Sequence, residues 1–269
     1  MKRVIFKIMN DNNLLKRTFD EVARLYNEIR PRYPEKLFVK LIEATGLPPG
    51  SPLLEIGPGT GQATTPLAKK GFEITAIELG AELAEVARYE LQEYKNVQII
   101  TGAFEEIALP ESTFELVFAA TAFHWLDPAI RFVKIHNLLK AGGHLAIIHT
   151  HHTSDEKGDV FFNASQAIYD KYDFTDKDKK PEFAKHKDLQ PTELDERLFR
   201  LTYFESFPVV ITYTATQFVK LLNTYSNHRI APQPVQQAFY KDMEALINDQ
   251  FQGKVDKHFS MSLTIAKKN

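Results

Sequence analysis

Three glycines at alternate positions follow a short apolar segment, and this part of the sequence is the one most suited to chemistry. Residues 53–61 read LLEIGPGTG, so Glu55 precedes Gly57, Gly59 and Gly61. Glycine tolerates positive φ and lets the backbone approach a ligand closely. A helix that starts after the turn would also offer N–H groups to a negatively charged group. The stretch therefore predicts a strand, a tight turn and a helix around a bound ligand.

A second acid strengthens this interpretation. Glu78 ends the apolar run ITAI at 74–77. In a doubly wound sheet, an acid at the end of the second strand binds ribose hydroxyls. The glycine spacing is G-x-G-x-G, whereas dinucleotide-binding proteins have G-x-G-x-x-G, and no Lys-Ser/Thr follows it as in a phosphate-binding loop. The two stretches together predict a nucleoside site.

This order of motifs resembles the class I S-adenosylmethionine-dependent methyltransferases. The resemblance implies that the glycine turn faces the methionine part of the cofactor and that Glu55 also contacts the cofactor. It also implies that Glu78 binds the ribose and that Leu79 contacts the cofactor. Another nucleotide-binding α/β enzyme, such as an NAD-dependent oxidoreductase, remains an alternative.

The turn after the third predicted strand, TGAFEEIALP at 101–110, wraps the adenine in this family. The resemblance implies that Phe104 lines the ring pocket and that the backbone N–H of Ala103 or Phe104 reaches a ring nitrogen. Many relatives carry Asp at the position of Ala103, so backbone recognition is expected here. Glu105 is either a further cofactor contact or a solvated acid. Ala120, at the end of the fourth predicted strand, is also expected to contact the cofactor.

The run TAFHWLDP at 121–128 follows the fourth predicted strand, 114–120. It resembles one branch, the type 11 methyltransferases that include trans-aconitate methyltransferase-like enzymes. Ligands of open parallel sheets bind at the carboxyl ends of the strands, which favours His124 as a catalytic and substrate-binding residue. His124 would act as a general base, donate a hydrogen bond to a substrate carboxylate, or support the pocket wall. Trp125 would flank the sulfonium through a cation–π contact or belong to the core, and Phe123 is expected to pack.

The N-terminal segment, 1–35, resembles the lid of small-molecule methyltransferases. Helical spacing over 14–29 is followed by RPRYP. The resemblance implies that Arg30 pairs with the cofactor carboxylate and that Tyr26 or Tyr33 shields the reacting methyl group, with Tyr33 assigned to the substrate. A surface helix with a capping turn is the alternative.

Three histidines near the end of the fifth predicted strand suggest a metal site. His149 and His151 would share one face of the strand, and His152 follows. Because cysteine is absent and no carboxylate lies at a fixed spacing, no metal is expected. Arg229 lies in a region that would meet an acidic substrate or would be solvated.

Strands separated by helices predict the fold class. It is a Rossmann-like, doubly wound, mostly parallel seven-stranded sheet with an antiparallel last strand and a helical cap. We expect one methyltransferase domain over 1–269, with a core at about 36–150 and 200–269 and an insertion or cap at about 151–235. The charged stretch 170–188 is predicted to be mobile. The motif KAGG after the fifth predicted helix is expected to be a turn.

The composition limits the function further. The chain has 269 residues, a formal net charge of -2, 43% hydrophobic residues and no cysteine. These values exclude disulfides and favour neither nucleic acid nor a membrane as a partner. A cytoplasmic monomer or homodimer is expected.

The expected reaction is in-line methyl transfer from S-adenosylmethionine to a small molecule, at an oxygen of a carboxylate or hydroxyl. The protein must align the acceptor and exclude water, and a base is needed only when the acceptor carries a proton. The motif N-P-P-Y of amino and amide methylation is absent after the fourth predicted strand. Protein or RNA methylation and a non-catalytic cofactor-binding protein remain alternatives.

Overall fold

Seven strands form one sheet in the computed structural model, which describes residues 20–155, 157–174, 183–229 and 231–269. The strands are β1 Pro52–Ile56, β2 Glu73–Glu78, β3 Val97–Thr101, β4 Phe114–Ala120, β5 Leu139–His152, β6 Phe199–Thr214 and β7 Lys254–Lys268. Their order is β3-β2-β1-β4-β5-β7-β6, and β1 to β5 pair in parallel. The sheet is mostly parallel with antiparallel last strands, which confirms the predicted fold class.

Helices separate most consecutive strands, as the sequence pattern predicts, but none lies among the residues described between β3 and β4. The helices among the described residues are α1 Ala23–Ile29, α2 Glu35–Thr45, α3 Thr64–Ala68, α4 Ala81–Glu90, α5 Arg131–Leu138, α6 Val160–Lys171, α7 Ala215–Leu222, α8 Ser226–Arg229 and α9 Gln233–Gln250. None of these helices is both long and apolar enough to cross a membrane.

The chain divides into two compact units. The first, here called the sheet unit, comprises Arg32–His151, Leu189–Phe207 and Ser260–Asn269. The second, here called the helical unit, contains described residues up to Pro31 and from His152–Asp188 and Pro208–Phe259. The single domain over 1–269 stays a prediction.

The centre of the sheet unit is apolar on both faces of the sheet. Leu53, Leu54 and Ile56 of β1 are at most 2% exposed, and Val117 and Phe118 of β4 are fully buried. Continuous apolar strands are typical of a parallel sheet that helices cover on both faces. Because these central strands are packed on both sides, their carboxyl ends form a rigid base for the polar residues that follow them.

The helical unit has its own core, which consists of aromatic and aliphatic side chains. Phe239 is fully buried on α9, and its ring lies 4.6 Å from Phe174 and 5.1 Å from His228. The ring of His228 is 1% exposed and bonds the carbonyl of Leu222 through Nδ1 at 3.1 Å. Burial lowers the pKa of His228 to about 4, so it packs as a neutral ring.

The structure differs from the sequence prediction at KAGG, Lys140–Gly143. These residues belong to β5, which starts at Leu139, so the prediction of a separate turn is wrong. Phe114 pairs with Leu139, but Leu116 pairs with His144, so β5 carries extra residues at this point. Such a bulge keeps the chain within the sheet while it absorbs the additional residues.

The charged region after β5 is only partly described. Helix α6 ends at Lys171, so it covers only the start of the charged stretch 170–188. Residues 175–182 and residues 14–19 of the predicted N-terminal helix lie outside the described residues. The mobile insertion at 170–188 therefore stays a prediction.

Candidate functional site

The glycine turn lies between β1 and α3, and its backbone conformation explains the choice of residue. Gly57, Gly59 and Gly61 have φ values of 68°, 60° and 94°. A Cβ atom on Gly57 would lie 2.6 Å from the Cβ of Ala122. Any side chain at this position would therefore clash with the segment that follows β4, in addition to the strain of positive φ.

Glu78 is fixed beside this turn at the carboxyl end of β2. Its Oε2 accepts a hydrogen bond from the Gly59 N–H at 2.8 Å, and its Oε1 accepts one from the Gly80 N–H at 2.9 Å. The residue is 6% exposed. Each carboxylate oxygen has a further lone pair, so Glu78 can accept ribose hydroxyls while it retains both backbone bonds.

Glu55 is a buried acid with an incomplete set of partners. It is fully buried, and its Oε2 accepts a hydrogen bond from Thr64 Oγ1 at 2.6 Å, whereas its Oε1 has no partner. Burial, opposed by the Thr64 hydrogen bond and aided by the charge of Glu78, raises the pKa of Glu55 to about 8. A buried polar atom without a partner is what a polar group of a ligand would satisfy.

Replacing Glu55 with glutamine should remove a pH dependence of stability. The folded-state pKa of about 8 lies above the ordinary value of 4.5, so the folded protein binds more protons between these values. Wild-type stability should therefore include a contribution that is present below pH 4.5 and lost as the pH rises towards 8. Chemical unfolding across this range should show Glu55→Gln gaining stability relative to wild type as the pH rises.

Thr64→Val, which removes the hydrogen-bond donor and retains the acid, is the matched control and should keep the wild-type slope. A difference between Glu55→Gln and wild type that does not change with pH would contradict the protonated state of Glu55.

The other residues assigned to the cofactor lie after β2 and β3. Leu79 is 46% exposed, which leaves its side chain available to a ligand. Phe104 is 3% exposed and packs into the core of the sheet unit, with the Lys134 ammonium 5.0 Å from its ring centroid. Ala103 lies in the same turn, where its carbonyl accepts the N–H of Ile107 at 3.1 Å. The contact of Leu79 with the cofactor, and the contacts of Ala103 and Phe104 with the adenine, stay predictions.

The segment after β4 forms a short 3₁₀ helix, Phe123–Trp125. Phe123 is 1% exposed, so it packs in the core as expected, and Trp125 is half-buried with its ring 4.8 Å from that of His124. The Asp127 N–H donates to Glu105 Oε1 at 3.0 Å, which ties this segment to the turn after β3.

The His124 side chain is accessible to solvent. Partial desolvation by the surrounding protein, and then the charge of Arg131, nevertheless lower its pKa. It is therefore a neutral imidazole at neutral pH.

His149 and His151 extend this group along β5. The His149 ring lies 5.9 Å from the rings of both His124 and His151, and His151 Nε2 lies 2.8 Å from Ser262 Oγ. Burial, then the neighbouring charges of His124, His151 and Arg131, lower the pKa of His149 to about 4.

In the described part of the chain, no group of three or more His, Asp or Glu residues is arranged to hold a metal ion. His152 belongs to the helical unit, where its ring lies 5.2 Å from Phe259.

Two threonines that the sequence analysis did not identify complete this edge of the sheet. Thr121 follows Ala120 directly and has a φ of 58°. Its hydroxyl lies 2.9 Å from the Tyr33 hydroxyl and 3.1 Å from that of Thr150. The structure therefore brings Tyr33 to the carboxyl end of β4. The position of Thr121 directly after a strand was the one sequence signal available.

Three further residues that were predicted to belong to the site, Tyr26, Arg30 and Arg229, lie in the helical unit. The Arg30 guanidinium lies over the rings of Tyr26 at 5.0 Å and Tyr225 at 4.6 Å, and its Nη2 donates to the Thr224 carbonyl at 2.6 Å. Arg229 Nη1 donates to Asn223 Oδ1 at 3.2 Å. Both arginines have partners within their own unit, and the roles assigned to Tyr26, Arg30 and Arg229 stay predictions.

Part of the chain is similar in sequence to known methyltransferases. Residues 54–147 match the family model described as a methyltransferase domain. An uncharacterized methyltransferase of Mycobacterium tuberculosis is 30% identical over 140 residues, which are 52% of this chain and 54% of the relative. The protein-L-isoaspartate O-methyltransferase of Koribacter versatilis is 31% identical over 108 residues, which are 39% of this chain and 47% of the relative. The chain thus spans about half the length of these curated relatives.

A solved structure extends the likeness in fold. The crystal structure of a putative methyltransferase from Bacillus halodurans has a TM-score of 0.52 and 18% identity, and the alignment covers 87% of this chain and 99% of that one. The trans-aconitate methyltransferase-like branch stays a prediction. The family match, the sheet order and the glycine turn beside Glu78 identify residues 54–147 as a domain of the class I S-adenosylmethionine-dependent methyltransferase family.

Proposed function

We propose that the chain transfers a methyl group from S-adenosylmethionine to a small molecule, at an oxygen of a carboxylate or hydroxyl. The observation that carries this proposal is the position of Glu78, whose carboxylate is fixed by the Gly59 and Gly80 N–H groups beside the glycine turn. An acid at this place can bind the two hydroxyls of a ribose.

The residues present fit this cofactor. Glu78 would hold the ribose hydroxyls, and the turn from Gly57 to Gly61 would allow the methionine part to lie close to the backbone. The buried Glu55 Oε1, which has no partner, would bond a polar group of the cofactor. When bound, the cofactor supplies an electrophilic methyl group on a sulfonium. The chain must orient the acceptor oxygen and exclude water.

His124 is the residue that we assign to the acceptor. Because its pKa is lowered, its free base is present at neutral pH. The neutral ring can take the proton of a hydroxyl acceptor through one nitrogen, or donate a hydrogen bond to a carboxylate acceptor through the other. Trp125, with its ring 4.8 Å away, limits the orientations of the imidazole.

An oxygen acceptor is supported by the segment after β4, which reads TAFHW where amino and amide methyltransferases carry N-P-P-Y. One relative is named as an O-methyltransferase, which supports the same class of acceptor. That relative is named for a protein substrate, so methylation of a protein side chain is the second candidate.

Replacing His124 with glutamine should lower kcat by roughly 10²–10⁴-fold for a hydroxyl acceptor, because general base catalysis contributes on this scale. For a carboxylate acceptor, which has no proton to lose, the loss should appear mainly as a raised KM. Steady-state kinetics on the identified acceptor would measure both constants. His136→Gln, on α5, is the matched control and should change neither. Normal kinetics in His124→Gln would reduce His124 to a supporting role.

The acceptor itself can be found by incubating the protein with metabolite extract and S-adenosylmethionine that carries an isotopically labelled methyl group. Mass spectrometry should show a labelled small molecule. Label in added protein or RNA alone would support the alternative acceptors. Binding of S-adenosylhomocysteine without any labelled product would indicate a non-catalytic binding protein.

A further inference from the structure

Arg131, at the start of α5, is a charged residue that the sequence analysis did not assign to the site. Its guanidinium carbon lies 4.6 Å from the centroid of the Phe123 ring and 5.1 Å from that of Phe132. Its Nε is buried and has no hydrogen-bond partner. A guanidinium has five N–H donors in a fixed plane. Contact with the two rings restricts the position of the guanidinium, and the Nε–H remains available to a ligand.

The charges around Arg131 indicate which class of ligand the position would bind. Its positive charge lowers the pKa of both His124 and His149, so all three groups share one electrostatic environment. Burial lowers the pKa of Arg131, and the carboxylate of Glu193, acting through space, opposes this shift. Among the described residues, no acid bonds the guanidinium directly. The position therefore combines one permanent positive charge with neutral imidazoles.

We propose that Arg131, His149 and His124 form a binding subsite for a carboxylate of the methyl acceptor, so that the acceptor is a small carboxylic acid. This inference rests on the proposed function. Arg131 would bind the carboxylate through parallel N–H···O bonds, the geometry in which arginine is strongest. The His149 ring, 5.9 Å from that of His124, would donate a further hydrogen bond from the strand side.

When a carboxylate binds in this subsite, the neighbouring histidines should take up protons. The titratable or charged groups that face His149 are His124, His151 and Arg131, and Glu193 acts on Arg131. The three facing groups disfavour the imidazolium, and a carboxylate in the subsite would reverse part of that effect. Affinity should therefore rise as the pH falls below neutral, until the ligand itself becomes protonated.

The test uses succinate as the probe and the full chain. Succinate should cause saturable shifts of the ring signals of His124 and His149 in ¹H–¹³C NMR spectra, and its neutral analogue succinamide should not. Arg131→Gln should weaken succinate binding roughly tenfold or more, because it removes a charge-assisted bidentate contact. Arg131→Lys should recover part of the loss, and Arg200→Gln, an exposed arginine on β6, should have no effect.

The inference is overturned if succinate and succinamide give the same response, or if Arg131→Gln binds succinate as wild type does. Unchanged binding of S-adenosylhomocysteine by Arg131→Gln shows that the variant is folded. A full succinate response without any methyl transfer would refute the proposed function and leave the subsite intact. Methyl transfer without a succinate response would refute the subsite alone.

Discussion

Replacing Gly57 with alanine should abolish binding of S-adenosylhomocysteine and lower the free energy of unfolding by about 2–4 kcal/mol. The φ of 68° is unfavourable for alanine, and the new Cβ would lie 2.6 Å from the Cβ of Ala122. The turn must therefore move, and with it the Gly59 N–H that holds Glu78. Calorimetry would measure the binding, and urea denaturation the stability.

Two controls separate the clash from the backbone strain. Gly46 has a φ of 66° and nothing within 4 Å of an added Cβ, so Gly46→Ala should cost about 1 kcal/mol and leave cofactor binding intact. Combining Gly57→Ala with Ala122→Gly should recover part of the lost stability, because it removes the clashing methyl group. Equal losses for Gly57→Ala and Gly46→Ala would contradict the close approach at Ala122.

Replacing Glu78 with alanine should weaken binding of S-adenosylhomocysteine by roughly 1–3 kcal/mol, the usual range for a lost hydrogen bond to a charged group. The substitution would also leave the N–H groups of Gly59 and Gly80 without their present acceptor, so part of the loss would come from a less ordered turn. Calorimetric titration would measure the affinity.

The matched control is Glu82→Ala, an exposed acid in the first turn of α4, which should leave affinity unchanged. Glu78→Gln retains one acceptor oxygen and should give an intermediate loss. If Glu78→Ala bound the ligand as tightly as wild type, its role at the ribose would be excluded.

The cofactor half of the site could be predicted because its information is local. The apolar run at β1 indicates a buried strand, and the glycines that follow it supply the positive φ values that the turn requires. Glu78 stands at the end of the next strand, β2, which pairs in parallel with β1. Strand pairing then brings the acid to the turn, so pattern and topology sufficed.

The acceptor half could not be predicted in the same way, because its residues meet only in the folded chain. Tyr33 and Thr121 are 88 positions apart in the sequence and bond through their hydroxyls. Nothing in the local sequence indicates the left-handed backbone of Thr121. Arg131 lies in a segment whose pattern predicted a helix and gave no signal for a ligand.

Errors in the secondary-structure prediction have similar causes. A pair of glycines at 142–143 predicts a turn when only local propensity is considered, but these residues belong to β5, between Leu139 and His144, which pair with β4. Helix α6 has 12 residues, of which only Ser165 is buried, and the sequence pattern predicted no helix there. In both places the surrounding structure, which the sequence pattern does not contain, determines the local conformation.

The most direct test of the cofactor site is a crystal structure of the protein with S-adenosylhomocysteine. We expect the ribose hydroxyls to be bonded to the Glu78 carboxylate and the amino-acid part of the ligand to lie along the turn from Gly57 to Gly61. A crystal in which the ligand binds elsewhere, or in which NAD takes this position with its ribose on Glu78, would contradict the account.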